Sequence, residues 1–225
     1  MTDFPQPSSF PAGAKFSDGV WTQTLSPLGI TQGRPALFLD RDGVVVEEEH
    51  YLSKPEAVQL TPNAASVVKA ANDKNISVIF VTNQAGIGYG YFEWDAFVAV
   101  QARILSDLKL GGGHVDGVFA CPFHVKGQGV YGHPDHPARK PNPGMFNLAH
   151  DIMGVDLNES WIVGDRAQDL AAGKNAGLKG GVHVLTGHGS VQGERDAALL
   201  VGSDTYTIKS AANLGEAMGL IPLLT

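Results

Sequence analysis

The sequence predicts an α/β fold: a doubly wound, mostly parallel sheet. The first observation is a series of short apolar runs, at residues 36–39, 78–81 and 161–163, that suit strands buried on both faces. The second is that segments with helical i, i+3, i+4 spacing separate these runs. Alternating strands and helices favour parallel pairing through right-handed crossovers. A chain of 225 residues can bury a substantial core, so one compact domain is the simplest interpretation.

Local signals place each element in chain order. Residues 1–34 show little periodicity and predict an N-terminal extension, ahead of a folded domain over residues 35–225. After the first strand, Thr61 and Pro62 predict the start of a helix. Beyond the second strand, apolar periodicity predicts a helix over 94–108, a strand over 115–120, a helix from Pro143, strands over 181–185 and 205–208, and a closing helix over 211–218.

Composition limits the class of partner. The formal net charge of −7 argues against a nucleic-acid or membrane partner, while a small phosphorylated metabolite needs only a local cluster of donors. The single cysteine, Cys121, excludes an intramolecular disulfide, and no apolar run reaches the length of a membrane helix. The N-terminal residues lack the basic start and apolar block of a secretory signal, so the expected location is the cytoplasm.

Polar side chains follow the predicted strands at the points where the strands end. Ligands of such sheets bind beyond the carboxyl ends of the strands, so these residues are the candidate site. They are Asp40 and Asp42 after the first strand, Thr82 and Asn83 after the second, Asp165 and Asp169 after the strand over 161–163, and Arg139 and Lys140 before the helix from Pro143.

The acidic residues of this set favour a divalent cation. Each aspartate alone is more often a helix cap or turn former, but that does not explain their joint occurrence at successive strand ends. Two carboxylates as close in sequence as Asp40 and Asp42 raise each other's pKa unless a cation compensates them. Mg²⁺ prefers oxygen ligands and can also bind a phosphate oxygen.

The ordered set resembles the four motifs of the haloacid-dehalogenase-like (HAD) phosphatases over roughly residues 36–186. The matching segments are Asp40-Arg41-Asp42-Gly43-Val44, Val81-Thr82-Asn83, Lys140-Pro141, and Gly164-Asp165 through Asp169. The segments Thr82-Asn83-Gln84-Ala85-Gly86-Ile87 and Arg139-Lys140-Pro141 further resemble the subfamily of heptose-bisphosphate and histidinol phosphatases. The resemblance implies a HAD-like, Rossmann-type sheet.

The resemblance also implies a role for each acidic residue. Asp40 would be the nucleophile that forms an aspartyl phosphate, and Asp42 would protonate the leaving alcohol and then activate water. Asp40, the main-chain carbonyl of Asp42, and Asp165 would hold Mg²⁺. Asp169 would act from behind them, by orienting Lys140 or a metal-bound water.

The remaining residues of the set would bind the substrate. Thr82 and the main chain of Asn83 would hold phosphoryl oxygens, while Lys140 would offset their charge and steady Asp40. Arg139 is similar to a substrate-contacting arginine of the subfamily. Tyr89 replaces a further arginine that the subfamily carries in its Gly-Ile-Ala-Arg-Gly segment. The gaps between the motifs leave no room for a separate cap domain, so we expect an open site whose loops determine specificity.

The loop before Lys140 carries a candidate zinc pattern. The related phosphatases have Cys-x-His and then Cys-x-Cys directly before Arg-Lys-Pro, whereas Phe123 and Ala138 occupy two of these positions here. The residues that could hold zinc with shifted spacing are Cys121, His124, His133 and His136. We expect prolines and packing to define this loop, with zinc as the alternative.

The expected function is therefore that of a Mg²⁺-dependent phosphoric monoester hydrolase, acting on the 7-phosphate of D-glycero-D-manno-heptose 1,7-bisphosphate. Histidinol phosphate is the alternative substrate. A non-enzymatic phospho-acceptor switch module is the alternative of another class, since it also uses acidic residues, a threonine and a lysine on a doubly wound sheet. A switch would retain its phosphate, whereas an enzyme would release it continuously.

Overall fold

A computed structural model describes residues 4–27 and 31–225, which form one sheet flanked by helices. Within these ranges the strands are β1 (Ala14–Ser17), β2 (Val20–Thr24), β3 (Pro35–Leu39), β4 (Ser77–Asn83), β5 (Gly117–Cys121), β6 (Asp156–Gly164), β7 (Gly180–Val184) and β8 (Thr207–Ala211). The prediction of an α/β fold is confirmed. The predicted later strand over 205–208 begins two residues further on.

The helices over the same residues are α1 (Ala64–Asp73), α2 (Ala85–Gly88), α3 (Trp94–Leu110), α4 (Gly144–Met153), α5 (Ala167–Asn175), α6 (Glu194–Leu199) and α7 (Leu214–Met218). The short helices α2, α5 and α6 were not predicted, because they present few large apolar side chains at helical spacing. None of the helices described is both long enough and apolar enough to cross a bilayer.

The strand order is β1-β2-β5-β4-β3-β6-β7-β8. The pairs β3–β4, β4–β5, β3–β6, β6–β7 and β7–β8 are parallel, which confirms the mostly parallel sheet. From β3 the chain builds outwards through β4 and β5, and it then crosses back to add β6, β7 and β8 on the other side. The switch in direction therefore lies at the carboxyl end of β3, where doubly wound sheets bind ligands.

The core forms because the central strands carry apolar side chains on both faces. β3 buries four of its residues and β4 buries all but its last, Asn83. Helix α1 covers the sheet with the buried face Ala64, Val67, Val68 and Ala71. The predicted start of this helix at Thr61 and Pro62 is wrong, since α1 begins at Ala64. The hydroxyl of Thr61 donates instead to the carbonyl of Val44 at 2.6 Å, which ties it to the loop after β3.

The N-terminal segment differs from the expected extension. The sequence analysis described residues 1–34 as an extension with little periodicity, whereas β1 and β2 form a hairpin whose β2 pairs antiparallel with β5. Residues 1–3 and 28–30 of the segment lie outside the described residues. Trp21 is fully buried by stacking on Trp94 at 5.6 Å and by edge contacts with Phe97 and Phe16. β1 has only four residues, which are partly buried or exposed, and β2 buries the polar Thr22 and Gln23, so neither strand shows a clear apolar period and the hairpin was missed.

We predict that Trp21→Ala lowers the free energy of unfolding by about 3–5 kcal/mol, because it empties the centre of an aromatic cluster. Urea unfolding measures the change. Phe10→Ala is the matched control, since Phe10 stacks on Trp21 but is 40% exposed. A loss below about 1 kcal/mol for Trp21→Ala would mean that the hairpin does not pack on the sheet in solution.

Candidate active site

The predicted site residues meet in one cleft at the carboxyl ends of β3, β4 and β6. The cleft has a volume of about 290 Å³. Its lining includes Asp40, Asp42, Thr82, Asn83, Arg139, Lys140 and Asp165. Asp169 lies beneath this surface and is fully buried. The fold therefore brings together side chains that lie far apart in the sequence.

Lys140 is the centre of the charge network below the cleft. Its Nζ lies 3.0 Å from an oxygen of Asp40 and 2.8 Å from an oxygen of Asp169, and it donates to the carbonyl of Val81 at 2.8 Å. Burial alone would lower the pKa of Lys140, but the charges of Asp169 and Asp40 raise it above its ordinary value. The ammonium group therefore stays protonated although only 1% of the side chain is exposed.

Asn83 fixes the main chain at Lys140. Its amide nitrogen donates to the Lys140 carbonyl at 3.1 Å, and its amide oxygen accepts from the Lys140 N–H at 3.1 Å. This reciprocal pair joins the end of β4 to the loop before α4. The sequence analysis assigned Asn83 to phosphate binding through its main chain and did not foresee this use of its side chain.

Asp40 extends the register of β3 by one residue, since its N–H donates to the carbonyl of Val163 at 3.0 Å. One carboxylate oxygen accepts the N–H of Arg41 at 2.8 Å and faces Lys140. Burial raises the pKa of Asp40 to about 7, against the opposing effect of Lys140. The nearby charges of Asp169 and Asp42 add to the rise.

Asp165 directly follows β6 and lies close to Asp40. One of its oxygens accepts the N–H of His188 at 2.7 Å. Burial, and then the charges of Asp169 and Asp40, raise the pKa of Asp165 to about 9. Two glycines with positive φ, Gly43 (80°) and Gly187 (54°), enclose this carboxylate. A Cβ atom on either glycine would overlap the Asp165 oxygen, so both positions require glycine.

Oxygen atoms of Asp40, Asp165 and Asp169 lie within 4.8 Å of one another. In the described part of the chain this is the only such group of three or more acidic, histidine or cysteine side chains. Three crowded carboxylates with only Lys140 as a nearby cation, two of them with raised pKa values, favour a further positive charge. Oxygen ligands of this kind suit Mg²⁺, so the residues present fit the predicted metal.

Asp42 is compensated differently from the expectation. Its carboxylate accepts from Arg41 Nε at 3.1 Å and Arg41 Nη2 at 3.0 Å, and from Gln84 Nε2 at 2.9 Å. Arg41 and Gln84 therefore compensate the Asp42 carboxylate, while its charge still adds to the raised pKa of Asp40. Thr82 is buried next to this group, where its hydroxyl accepts from Gln84 at 2.9 Å.

The lining also includes residues to which the sequence analysis gave no role, among them Arg41, Gln84, Glu48 and His188. Gln84 follows β4 directly and His188 follows the end of β7, so the strand-end rule could have found both. Glu48 lies in the loop after β3. Burial and the charges of Asp42 and Asp40 raise its pKa to about 7, and its carboxylate lies 3.6 Å from His188 Nε2.

Among the described residues, the candidate zinc ligands do not form a group whose ligand atoms lie close enough together to hold a metal ion. These candidates are Cys121, His124, His133 and His136. Cys121 is fully buried at the end of β5, where burial raises the pKa of its thiol to about 12. The His136 ring stacks on Phe123 with centroids 3.7 Å apart. The Nδ1 atoms of His124, His133 and His136 each accept a main-chain N–H two residues further on.

Arg139 borders the same loop. Its Nη1 donates to the carbonyl of Phe123 at 2.9 Å, and burial lowers the pKa of this half-buried side chain. The guanidinium still lines the cleft. Its position is therefore compatible with a contact to substrate.

Comparisons of the sequence and of the fold with known proteins indicate the same family. A HAD-hydrolase-like family model matches residues 137–212. The D-glycero-β-D-manno-heptose-1,7-bisphosphate 7-phosphatase of Mesorhizobium japonicum is 40% identical over 206 residues, which cover 92% of this chain and 91% of that protein.

Two crystal structures have folds similar to that of this chain. A HAD-like phosphatase from Mesorhizobium loti has a TM-score of 0.81 and 37% identity, over 95% of this chain and 96% of the other. The D,D-heptose 1,7-bisphosphate phosphatase of B. bronchiseptica, solved with magnesium and phosphate, has a TM-score of 0.67 and 28% identity, over 81% of this chain and 95% of the other. The chain belongs to the heptose-bisphosphate phosphatase family of HAD-like hydrolases.

Proposed function

We propose that this protein is a Mg²⁺-dependent phosphatase that removes the 7-phosphate of D-glycero-D-manno-heptose 1,7-bisphosphate. The observation that carries the proposal is the Asp40 carboxylate, held by Lys140 beside Asp165 at the switch point of the sheet. The relatives' substrate and the magnesium in the related crystal structure support the substrate and the metal. A sugar bisphosphate is too highly charged to cross a bilayer unaided, so we place the enzyme in the cytoplasm with its substrate.

Asp40 is the proposed nucleophile. Its carboxylate attacks phosphorus, the bond from phosphorus to the sugar oxygen breaks, and the leaving oxygen takes a proton from Asp42, which enters this step in its protonated form. Water then attacks the aspartyl phosphate, gives its proton to Asp42, and releases inorganic phosphate with the Asp40 carboxylate restored. Lys140 favours the ionised form of Asp40 that the first step requires, in spite of burial.

Arg41 and Gln84 position the proton carrier in this scheme. Both donate to the carboxylate of Asp42, so its orientation is set before substrate binds. Asp40, Asp165 and the main-chain carbonyl of Asp42 would hold Mg²⁺, which supplies positive charge to the phosphoryl oxygens when bound. Thr82 and Asn83 complete the phosphate site, and Asp169 keeps Lys140 in place.

Asp40→Asn should reduce phosphate release from heptose 1,7-bisphosphate by more than about a thousandfold, because an amide cannot form the acyl phosphate. A continuous phosphate assay measures turnover, and histidinol phosphate in parallel separates the two substrate classes. Asp151→Asn is the matched control, as Asp151 lies exposed on α4. Turnover of Asp40→Asn within tenfold of the parent would refute the nucleophile, and a parent that retains one phosphate without turnover would indicate a switch module.

Mg²⁺ should stabilise the fold more at pH 8 than at pH 6. The raised pKa values of about 7 for Asp40 and about 9 for Asp165 mean that protons increasingly occupy these carboxyls as the pH falls. Mg²⁺ must then displace protons, and its apparent affinity falls. Thermal unfolding with Mg²⁺ or a chelator at each pH measures the effect. An equal or larger stabilisation at pH 6 would contradict the proposed ligands.

We also propose that packing, not zinc, defines the loop from Cys121 to His136. Protein purified without added metal should contain far less than one zinc per chain by elemental analysis. Cys121→Ser should then cost only about 1–3 kcal/mol of stability, the expected penalty for a buried hydroxyl, whereas loss of a structural zinc would cost much more. Stoichiometric zinc that disappears in His124→Ala would reverse this assignment.

A further inference from the structure

Strand β7 buries one polar side chain among small and apolar ones. All five residues of β7 are buried, and His183 has no exposed surface. The register of β7 with β6 places His183 beside Gly164, one residue before Asp165. The Nε2 atom of His183 lies 3.0 Å from the main-chain carbonyl oxygen of Asp165. His183 does not line the cleft, and the mechanism proposed above gives it no role.

The Asp165 carbonyl determines which ring nitrogen of His183 carries a hydrogen. A carbonyl oxygen can only accept, so Nε2 is the donor. Burial lowers the pKa of His183, against the opposing effect of this hydrogen bond, so the ring is neutral and its Nδ1 carries no hydrogen. Nδ1 is buried and has no hydrogen-bond partner among the described residues. His183 therefore makes one hydrogen bond and leaves its second nitrogen unsatisfied.

The unsatisfied nitrogen makes His183 an unfavourable residue for packing alone. An unpaired buried polar atom destabilises a fold, whereas an apolar side chain of similar size would fill the same space without that penalty. Local departures of this kind are expected where function requires them. The one feature that a leucine could not supply here is the Nε2–H donor, and its acceptor is the main chain of a proposed metal ligand.

Asp165 is held at both its main chain and its side chain. Among the hydrogen bonds of the described residues, its carbonyl accepts only that of His183. Gly189 closes in on the same oxygen, since a Cβ atom there would come within 3.1 Å of it. The Asp165 carboxylate separately accepts the N–H of His188 at 2.7 Å. Loss of the His183 donor would leave a buried carbonyl unpaired and would free the peptide after Asp165 to rotate.

We propose that His183 is a positioning residue that tightens Mg²⁺ binding by fixing the main chain of Asp165. This inference rests on the proposed function, in which the Asp165 carboxylate holds Mg²⁺ together with Asp40. A ligand that is already fixed when the ion arrives loses less conformational freedom on binding, so the donor raises affinity without touching the substrate. Groups that orient metal ligands from behind typically change metal affinity by about 10- to 100-fold when they are removed.

Mg²⁺ titration of the whole chain without substrate, by isothermal calorimetry, tests this role. His183→Leu should weaken Mg²⁺ binding about tenfold, because leucine fills the space without a donor. His183→Gln should stay within about threefold of the parent, since its amide nitrogen reaches about as far from the main chain as Nε2 does. His183→Asn has a shorter reach and should resemble His183→Leu. At saturating Mg²⁺ the kcat of each variant should stay within about twofold of the parent, because the reacting groups are unchanged.

Tyr206→Phe is the matched control. The Tyr206 hydroxyl is also buried and donates at 2.8 Å to the main-chain carbonyl of Leu170, in the helix α5 that follows Asp165. Its removal takes away a buried hydrogen bond from the same part of the fold. Tyr206→Phe should lower the unfolding temperature of the metal-free protein by about 2–4 °C and leave Mg²⁺ affinity within about twofold of the parent.

Several outcomes would overturn the role of His183. Parent-like affinity in both His183→Leu and His183→Asn would show that Asp165 needs no such anchor. Equal weakening in His183→Leu and His183→Gln would show that the ring packs rather than donates, and equal weakening in Tyr206→Phe would show that any loosening here has the same effect. If His183→Leu does not fold, the contrast between His183→Gln and His183→Asn decides the question.

Failure of the proposed function gives a different result from failure of this inference. A parent that binds Mg²⁺ but releases no phosphate from any phosphorylated sugar overturns the proposed function and leaves the His183 comparison intact. A parent that binds no Mg²⁺ overturns both the proposed metal site and the role of His183.

Discussion

The site depends on one buried cation, the ammonium group of Lys140. It joins Asp40 at the end of β3, Val81 near the end of β4, and Asp169 at the start of α5. Without this charge, the carboxylates of Asp40 and Asp169 would lie buried and unpaired, a situation that typically costs 3–5 kcal/mol. The same contacts that stabilise the sheet edge therefore also place Asp40, the proposed nucleophile.

Lys140 compensates the negative charge of Asp40, Asp165 and Asp169 only in part, and the remaining negative charge favours a divalent cation. Lys140 supplies one positive charge to a group of three carboxylates, and among the described residues it forms ion pairs with Asp40 and Asp169 rather than Asp165. Burial then raises the pKa of Asp165 to about 9. A divalent ion and the phosphate of a substrate bring opposite charges to the same place, so each favours the binding of the other. The Asp42 carboxylate is not part of this charge balance, because Arg41 and Gln84 compensate it separately.

The part of the site that followed from the sequence is the part governed by topology. Asp40, Thr82 and Asp165 follow apolar runs, and parallel strands bring their carboxyl ends to one edge. The orientation of Gln84 and the pairing of Asp42 with Arg41 depend on side-chain directions within the folded sheet, which sequence spacing does not contain. The β1–β2 hairpin was missed for a related reason, because its strands gain their apolar partners, Trp94 and Phe97, only from α3.

The hairpin also determines how this sheet ends. Without it, β5 would expose the main-chain groups of a strand whose five residues are all buried, an open template for pairing with another molecule. Instead the outermost strand is β1, which has only four residues and carries Lys15. At the opposite edge, β8 is also short and carries Lys209. Short, charged edges discourage edge-to-edge aggregation, so the N-terminal segment contributes to colloidal behaviour as well as to the core.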